Sequence, residues 1–397
     1  LEEGTELLQR LNSALTDGKA VLPMITSCSP GWIKFIEHAF PDLLSHLSTC
    51  KSPHMMMGVV IKSYYAEKLG IDPKNIFVVS VMPCTAKKFE IARPEMTNNG
   101  LLNVDAVLTC RELGDMIKAA GIDFVSLPDR EYDAPLGIST GAADIFGLTG
   151  GVTEAALRTV YEFVTGRELP FANLHVTPIV GLENVREAVI RVEHPLDTFR
   201  HLDGVEIKIA VTSGLKDARK LMEQIADGTS PYHFIEVMGC PGGCITGGGQ
   251  PRSQDPLVRE KRMKNLYSED ESKVIRKSHE NPSLLSFYRE YLGEPNGHLA
   301  HELLHTHYTK RGMFHQPGNE AFVLESPPRG KPRIPQQTGD IAEAKEKAAS
   351  SRAREELESL KILNLESENK NLKNTLSDAM ETIDILKMVI SDYAQHK

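Results

Sequence analysis

An α/β fold, with parallel-type sheets flanked by helices, is what this sequence predicts, and three observations carry the prediction. Five β-branched, nearly uninterrupted apolar runs recur between Ala20 and Met238. Helical patterns closed by glycine lie between them. Three of the runs end at a cysteine, and in open α/β sheets ligands gather beyond the carboxyl ends of the strands.

The first run is AVLPMITS, Ala20 to Ser27. Short apolar stretches of this kind read as strands buried on both faces. GWIKFIEHAF, Gly31 to Phe40, follows with helical spacing. MMMGVVIKSYYAEKLG is a longer helix that Gly70 closes. NIFVVSVMP (Asn75 to Pro83) and VDAVLT (Val104 to Thr109) are the next strands, and RELGDMIKAAG is a helix closed by Gly121. VEIKIAVTSG (Val205 to Gly214) and YHFIEVM (Tyr232 to Met238) complete the alternation. MITSC, VVSVMPC and FIEVMGC bring Cys28, Cys84 and Cys240 to strand ends, with Cys244 close behind. Cys50 and Cys110 lack that placement and are expected in the core.

With 397 residues the chain is long enough for a large core or two lobes. A hydrophobic content of 41% and a charged content of 25% suit a globular protein. The net charge of −9 argues against nucleic acid, because phosphate binding needs clustered Lys and Arg. No apolar run is long enough to cross a membrane, and no secretion signal is visible. A cytoplasmic protein is expected. The chain starts at Leu1 rather than Met, so a further N-terminal portion is expected. The domain that carries these cysteines is expected to span residues 1–316. PPRGKPRIPQQTG lies in a Pro-rich linker, 317–339, expected to be extended. In 340–397, Ile362, Leu365, Asn369, Leu372, Leu376, Ala379, Ile383, Leu386, Ile390 and Tyr393 recur in steps of three and four. That is the heptad spacing of a coiled coil, with Asn369 as a register-setting polar position and self-association or a partner helix as its expected use.

The six cysteines are too sparse for a disulfide framework in so long a chain. Four of them, at strand ends or nearby, suggest a thiolate cluster holding zinc or an iron–sulfur group. Cys240 and Cys244 lie in the glycine-rich EVMGCPGGCITGGGQP, Glu236 to Pro251. A lone ion needs no run of bare backbone, whereas a bulky inorganic group does, because backbone must approach it closely.

Three stretches resemble the cluster-binding motifs of the [FeFe]-hydrogenases: TSCSPGW (Thr26 to Trp32), MPCTAKKFE (Met82 to Glu90) and EVMGCPGGCITGGGQP. GAADIFGLTGGVTEAALR, RKSHEN and HELLHTHY add to the likeness, which covers about Leu1 to Arg311. The resemblance implies two α/β lobes with the cofactor between them. It implies an H-cluster: a [4Fe–4S] cubane joined through one cysteine to a diiron unit bearing CO, cyanide and a bridging azadithiolate. By motif position Cys244 is the bridging thiolate, and Cys84 and Cys240 bind the cubane. The implied reaction is reversible: two protons and two electrons give H2.

The resemblance also assigns the surroundings. Lys87 matches a lysine that contacts a cyanide, and Glu90 is placed to hold its ammonium by a charge-assisted bond. Ser52, in STCKSP, matches another cyanide contact. Met82, Met238 and Phe146 supply an apolar, polarisable wall. Protons need a relay of titratable or hydroxyl groups within hydrogen-bond reach. The matching positions are Cys28, Glu6, Ser48 and Glu3, with Arg10 near the exit. Glu3, Glu6 and Arg10 share one face of a helix by spacing. Taken alone, these residues have plainer readings: a charged surface helix, and ordinary core or loop packing.

One position departs from the family. Its first motif commonly holds adjacent cysteines, the first passing protons and the second binding the cubane; here the pair is Cys28 and Ser29. Either Ser29 ligates through oxygen, or Cys28 takes over the ligand role, or the local backbone accommodates a natural variant. No cysteines remain for additional clusters, so electrons are expected from a ferredoxin-like protein or from clusters on a missing N-terminal portion. Diiron maturation factors are further expected partners. Two other functions compete: a hydrogen-sensing regulatory protein, and a hydrogenase-like iron–sulfur assembly factor.

Overall fold

The structure, a computed structural model, describes residues 1–312 except 17, 131, 135, 171–176 and 179–184. The expected linker and coiled coil lie outside the described residues. Helix α1 spans Glu2–Thr16. Strand β1, Met24–Ile25, leads to α2, Pro30–Ala39, whose Pro30 occupies the first turn, where a missing N–H costs nothing. Helix α3, Pro53–Val60, continues through a π turn at Ile61–Tyr65 into α4, Ala66–Leu69. Gly70 closes that run as expected, at φ 65°.

Strand β2, Val79–Met82, precedes α5, Lys87–Glu90. A hairpin of β3 (Thr97–Asn98) and β4 (Leu101–Leu102) leads to β5, Ala106–Thr109. Helix α6, Cys110–Ala119, starts on a reciprocal cap between Thr109 and Glu112. Helices α7 (Gly141–Asp144) and α8 (Gly151–Thr165) follow. Then come β6 (Thr177–Pro178), β7 (Val185–Arg191), β8 (Glu206–Ser213), α9 (Leu215–Ala226) and β9 (Phe234–Met238). Helices α10 (Val258–Ser272), α11 (Pro282–Phe287) and α12 (His298–Leu304) close the described chain.

The larger sheet has the order β1-β9-β8-β7-β6. Strands β1, β9 and β8 are parallel, with Phe234 opposite both Met24 and Ile209. Strands β7 and β6 run antiparallel, so the sheet is mixed; β7 reaches β8 without a crossover helix, and an antiparallel pair needs none. Its two faces bury different layers, following the period of two. Ile209, Val211 and Phe234 pack with Leu7 and Leu11 of α1 and Leu157 and Val160 of α8. Ala210, Ile235 and Val237 pack with Trp32 and Ile36 of α2 and Leu221 and Met222 of α9.

The smaller sheet pairs β2 with β5 in parallel, Val79 opposite Ala106. Here the expectation of a strand buried on both faces fails. Val79 and Val81 are 46% and 42% exposed. Only the other face packs, through Val78 and Met82, against Met55, Met96, Val104 and Val107. Cys50 is buried as expected, but Cys110 is only half-buried, because it sits in the first turn of α6.

Candidate metal centre

The loops leaving β1, β2 and β9 carry Cys28, Cys84 and Cys240, and Cys244 begins a 3-10 turn just beyond. All six thiols of the chain are free. Burial pushes the Cys240 thiol up, and the Cys84 thiol adds to it against a bond from Gly248. Burial also raises Cys244, with Lys87 opposing and Cys84 and Cys240 reinforcing. The three thiols bear on one another electrostatically, so Cys84, Cys240 and Cys244 share one neighbourhood. Cys28 belongs to the same neighbourhood: burial raises it, and it feels Glu3, Lys87 and Cys244.

The glycines have a cause that the sequence reading attributed to a bulky ligand alone. A Cβ on Gly247 would stand 2.2 Å from the Pro83 carbonyl oxygen. One on Gly243, at φ +90°, would stand 2.7 Å from the Gly147 oxygen. The loop is bare because the chain's own backbone crosses it. Gly249 N–H donates to Pro83 O at 2.8 Å, and Arg111 donates to Gly249 O at 3.1 Å and to Gly248 O at 2.8 Å. The Cys240–Cys244 loop is thereby laced to the residue before Cys84 and to the start of α6.

Ser29 lies beside this loop, its hydroxyl 2.6 Å from where a Cβ on Gly239 would be. It stands at the N-cap of α2, yet its side chain makes no capping bond there. Ser52 is buried, and its Oγ has no hydrogen-bond partner. Lys87 is buried and donates to Cys28 O and to Glu90 Oε2, both at 2.8 Å. Burial alone would raise Glu90, but the Lys87 ammonium and a bond to His54 hold it down at about 2. Met238 is buried at the end of β9. Met82 packs on the core cluster under the smaller sheet. Phe146 packs beside Ala142, Ile145 and Ile245.

Helix α1 delivers the acidic residues. Ser48 Oγ donates to Glu6 Oε2 at 2.8 Å, and Arg10 donates to Glu6 Oε1 at 2.6 Å. Glu3 is pushed up to about 7, mainly by burial and then by the Glu6 charge. Its Oε1 is buried without a partner. The Cys28–Glu3 field, the Glu3–Glu6 field and the Ser48–Glu6–Arg10 bonds link the expected relay residues, with Glu3 rather than the expected Glu6 acting on Cys28.

Several residues escaped sequence reasoning. Glu236, buried inside β9, accepts from Gly150 N at 2.6 Å and Thr153 N at 2.8 Å, and so caps α8. A lone carboxylate in an apolar strand was its signal. Thr49 N–H also donates to Glu6, at 3.1 Å. The Thr49 hydroxyl meets His305 Nδ1 at 2.7 Å, and His305 Nε2 meets Glu2 Oε2 at 3.0 Å. His54 meets Glu90 at 2.7 Å. His54 stands outside every quoted motif, and HELLHTHY, which holds His305, gave it no role.

Among the described residues no helix is long and apolar enough to cross a membrane. Residues 1–248 match the family described as "Iron only hydrogenase large subunit, C-terminal domain", and residues 256–311 match "Iron hydrogenase small subunit". The chain is 50% identical over 313 residues to the NADP-reducing hydrogenase subunit HndD of Solidesulfovibrio fructosivorans, covering 78% of this chain and 51% of that protein. It is 48% identical over 250 residues to the periplasmic [Fe] hydrogenase large subunit of Nitratidesulfovibrio vulgaris, covering 63% of this chain and 56% of that one. Thus it spans about half the length of these hydrogenase relatives. A cytosolic Fe–S cluster assembly factor of Danio rerio is 31% identical, over 78% of this chain and 73% of that protein. The solved apo [FeFe]-hydrogenase of Chlamydomonas reinhardtii superposes with a TM-score of 0.71 at 44% identity, over 79% of this chain and 82% of that one. With the family match, this likeness in sequence and fold, and thiols gathered beyond the strand ends, the chain belongs to the [FeFe]-hydrogenase family.

Proposed function

We propose that this chain is the catalytic domain of an iron hydrogenase, interconverting H2 with two protons and two electrons at an H-cluster. The observation that carries the reading is the meeting of two features: three neighbouring thiols beside a buried lysine, and a line of acidic and hydroxyl groups leading away from Cys28. The donor set fits the group. Three mutually repelling thiols call for a cationic metal core. The orphaned Ser52 hydroxyl and the Lys87 ammonium suit anionic ligands such as cyanide. Cys84, Cys240 and Cys244 would hold the iron–sulfur part, Cys244 as the bridge, with Ser29 or Cys28 completing the set. When bound, the group supplies the redox chemistry and the site where hydrogen is made or split.

The protein's own contribution is placement, exclusion of water and proton movement. Met82, Met238 and Phe146 wall the site with apolar atoms. Cys28 passes protons between the site and Glu3. Ser48 and Glu6 carry them on, and Arg10 holds Glu6 at the outer end. A carboxyl tuned to about 7 exchanges protons readily near neutral pH. Electrons are proposed to come from a ferredoxin-like protein or iron–sulfur subunit, and the diiron unit from maturation factors. Six free thiols support a cytoplasmic, reducing setting.

Infrared spectroscopy after co-production with the diiron maturation machinery tests this reading. CO and cyanide bands that shift under H2 are expected, and Cys244→Ala should abolish them. The 31% identity to a cytosolic Fe–S cluster assembly factor favours, as a second reading, an assembly-factor-like protein. No bands, with a cubane still visible by EPR, would select that reading unless Ser29→Cys restored the bands.

A further inference from the structure

His54 completes a buried group that no motif marks. It lies in the first turn of α3. Its Nε2 is 2.7 Å from Glu90 Oε2, the same oxygen that accepts from Lys87 at 2.8 Å. A carboxylate only accepts, so Nε2 carries the hydrogen. Nδ1 faces the Ser80 hydroxyl of β2 at 3.0 Å. The ring is therefore held at both nitrogens by side chains and presents one fixed N–H to α5.

An ammonium on a four-carbon stem goes where its acceptors hold it. Lys87 has two among the described residues, the Cys28 carbonyl and Glu90. Glu90 shares a four-residue helix with Lys87, so it holds the ammonium only as firmly as it is itself held. His54 supplies that hold from a different element. The third N–H of Lys87 has no acceptor among the described residues. We propose that His54 is a positioning residue for the metal group: through Glu90 it fixes the direction in which Lys87 offers its free N–H to an anionic ligand. This rests on the cofactor reading above. A histidine serving only to fill space would need neither a shared oxygen with Lys87 nor a partner on its second nitrogen.

The test compares His54→Leu, which keeps bulk and removes the donor, with His54→Gln, which restores an N–H. In loaded protein, His54→Leu is expected to move the cyanide infrared bands as Lys87→Ala does, and His54→Gln to return them toward the parent. In apoprotein, reductive methylation of Lys87, followed by mass spectrometry, should speed up about tenfold in His54→Leu, the worth of one charge-assisted hydrogen bond. Unmoved cyanide bands in His54→Leu, beside moved bands in Lys87→Ala, would overturn the positioning role. Unmoved bands in both would instead remove Lys87 from the site. If the parent shows no CO or cyanide bands at all, the cofactor reading fails, and the methylation rate alone decides whether His54 holds Lys87. Should His54→Leu not fold, Ser80→Ala loosens the same ring, and an unchanged methylation rate there overturns the proposal.

Discussion

Glu3 and Glu6 sit one turn apart on the same helix, yet their surroundings set them different tasks. Glu6 is bonded by Ser48, Thr49 and Arg10. Glu3 has a bare buried oxygen and titrates near 7. An acid raised from 4.5 keeps a native-state proton that the unfolded chain gives up, so it exchanges protons across the neutral range. Glu3→Gln removes that group while keeping its shape. The expected outcome is a fall in H2 evolution of roughly a hundredfold, the usual worth of a general acid–base group, with loss of the inflection near pH 7. A pH–rate profile of parent and variant checks both. Cys84, Cys240, Cys244 and Lys87 could be singled out in the sequence because they lie in stretches that resemble the family's motifs. His54 was not, because its partner Glu90 is 36 residues away and the pair makes no periodic pattern.

At the scale of elements, the glycine loop and β2 depend on each other. Gly247→Ala places a methyl 2.2 Å from Pro83 O, and neither backbone can yield without moving a cysteine. A loss of roughly 1–3 kcal/mol is expected from overpacking, together with reduced iron content. Gly248→Ala is the control, since its Cβ meets Thr85 at 3.4 Å, an ordinary contact. Melting temperature and iron per chain, measured side by side, check the contrast; equal losses would refute it. The strands themselves were readable from their apolar runs, and the sites of the helices from glycine closures such as Gly70. The exposed face of β2 was not readable. Val79 and Val81 look the same in sequence whether or not another layer covers them, and only the two-stranded pairing reveals that none does among the described residues.

For the molecule as a whole, buried carboxylates tied to cations set the acid limit. Burial works against Glu90, Glu37 and Asp270, but Lys87 and His54, Arg93 and Arg311, and Arg158 and Arg276 respectively hold each below its ordinary value. For such groups the native state binds fewer protons than the unfolded chain. Their stabilisation is therefore full above the unfolded value and is lost as pH falls from 4.5 toward about 2 for Glu90. Glu90→Gln should flatten that acid slope by on the order of 2 kcal/mol in urea titrations at pH 3 and pH 7. An unchanged slope would mean that Glu90 does not govern it. The lacing of the glycine loop to Pro83 has a consequence of another kind. Cys84 comes from the smaller sheet, and Cys240 and Cys244 from the larger. Gly249 N–H to Pro83 O joins them through backbone alone. The cysteine-bearing loops of the two sheets are thus tied to each other by the chain's own backbone. A shift of either sheet is therefore passed to the other sheet's cysteines through a single peptide-to-peptide bond.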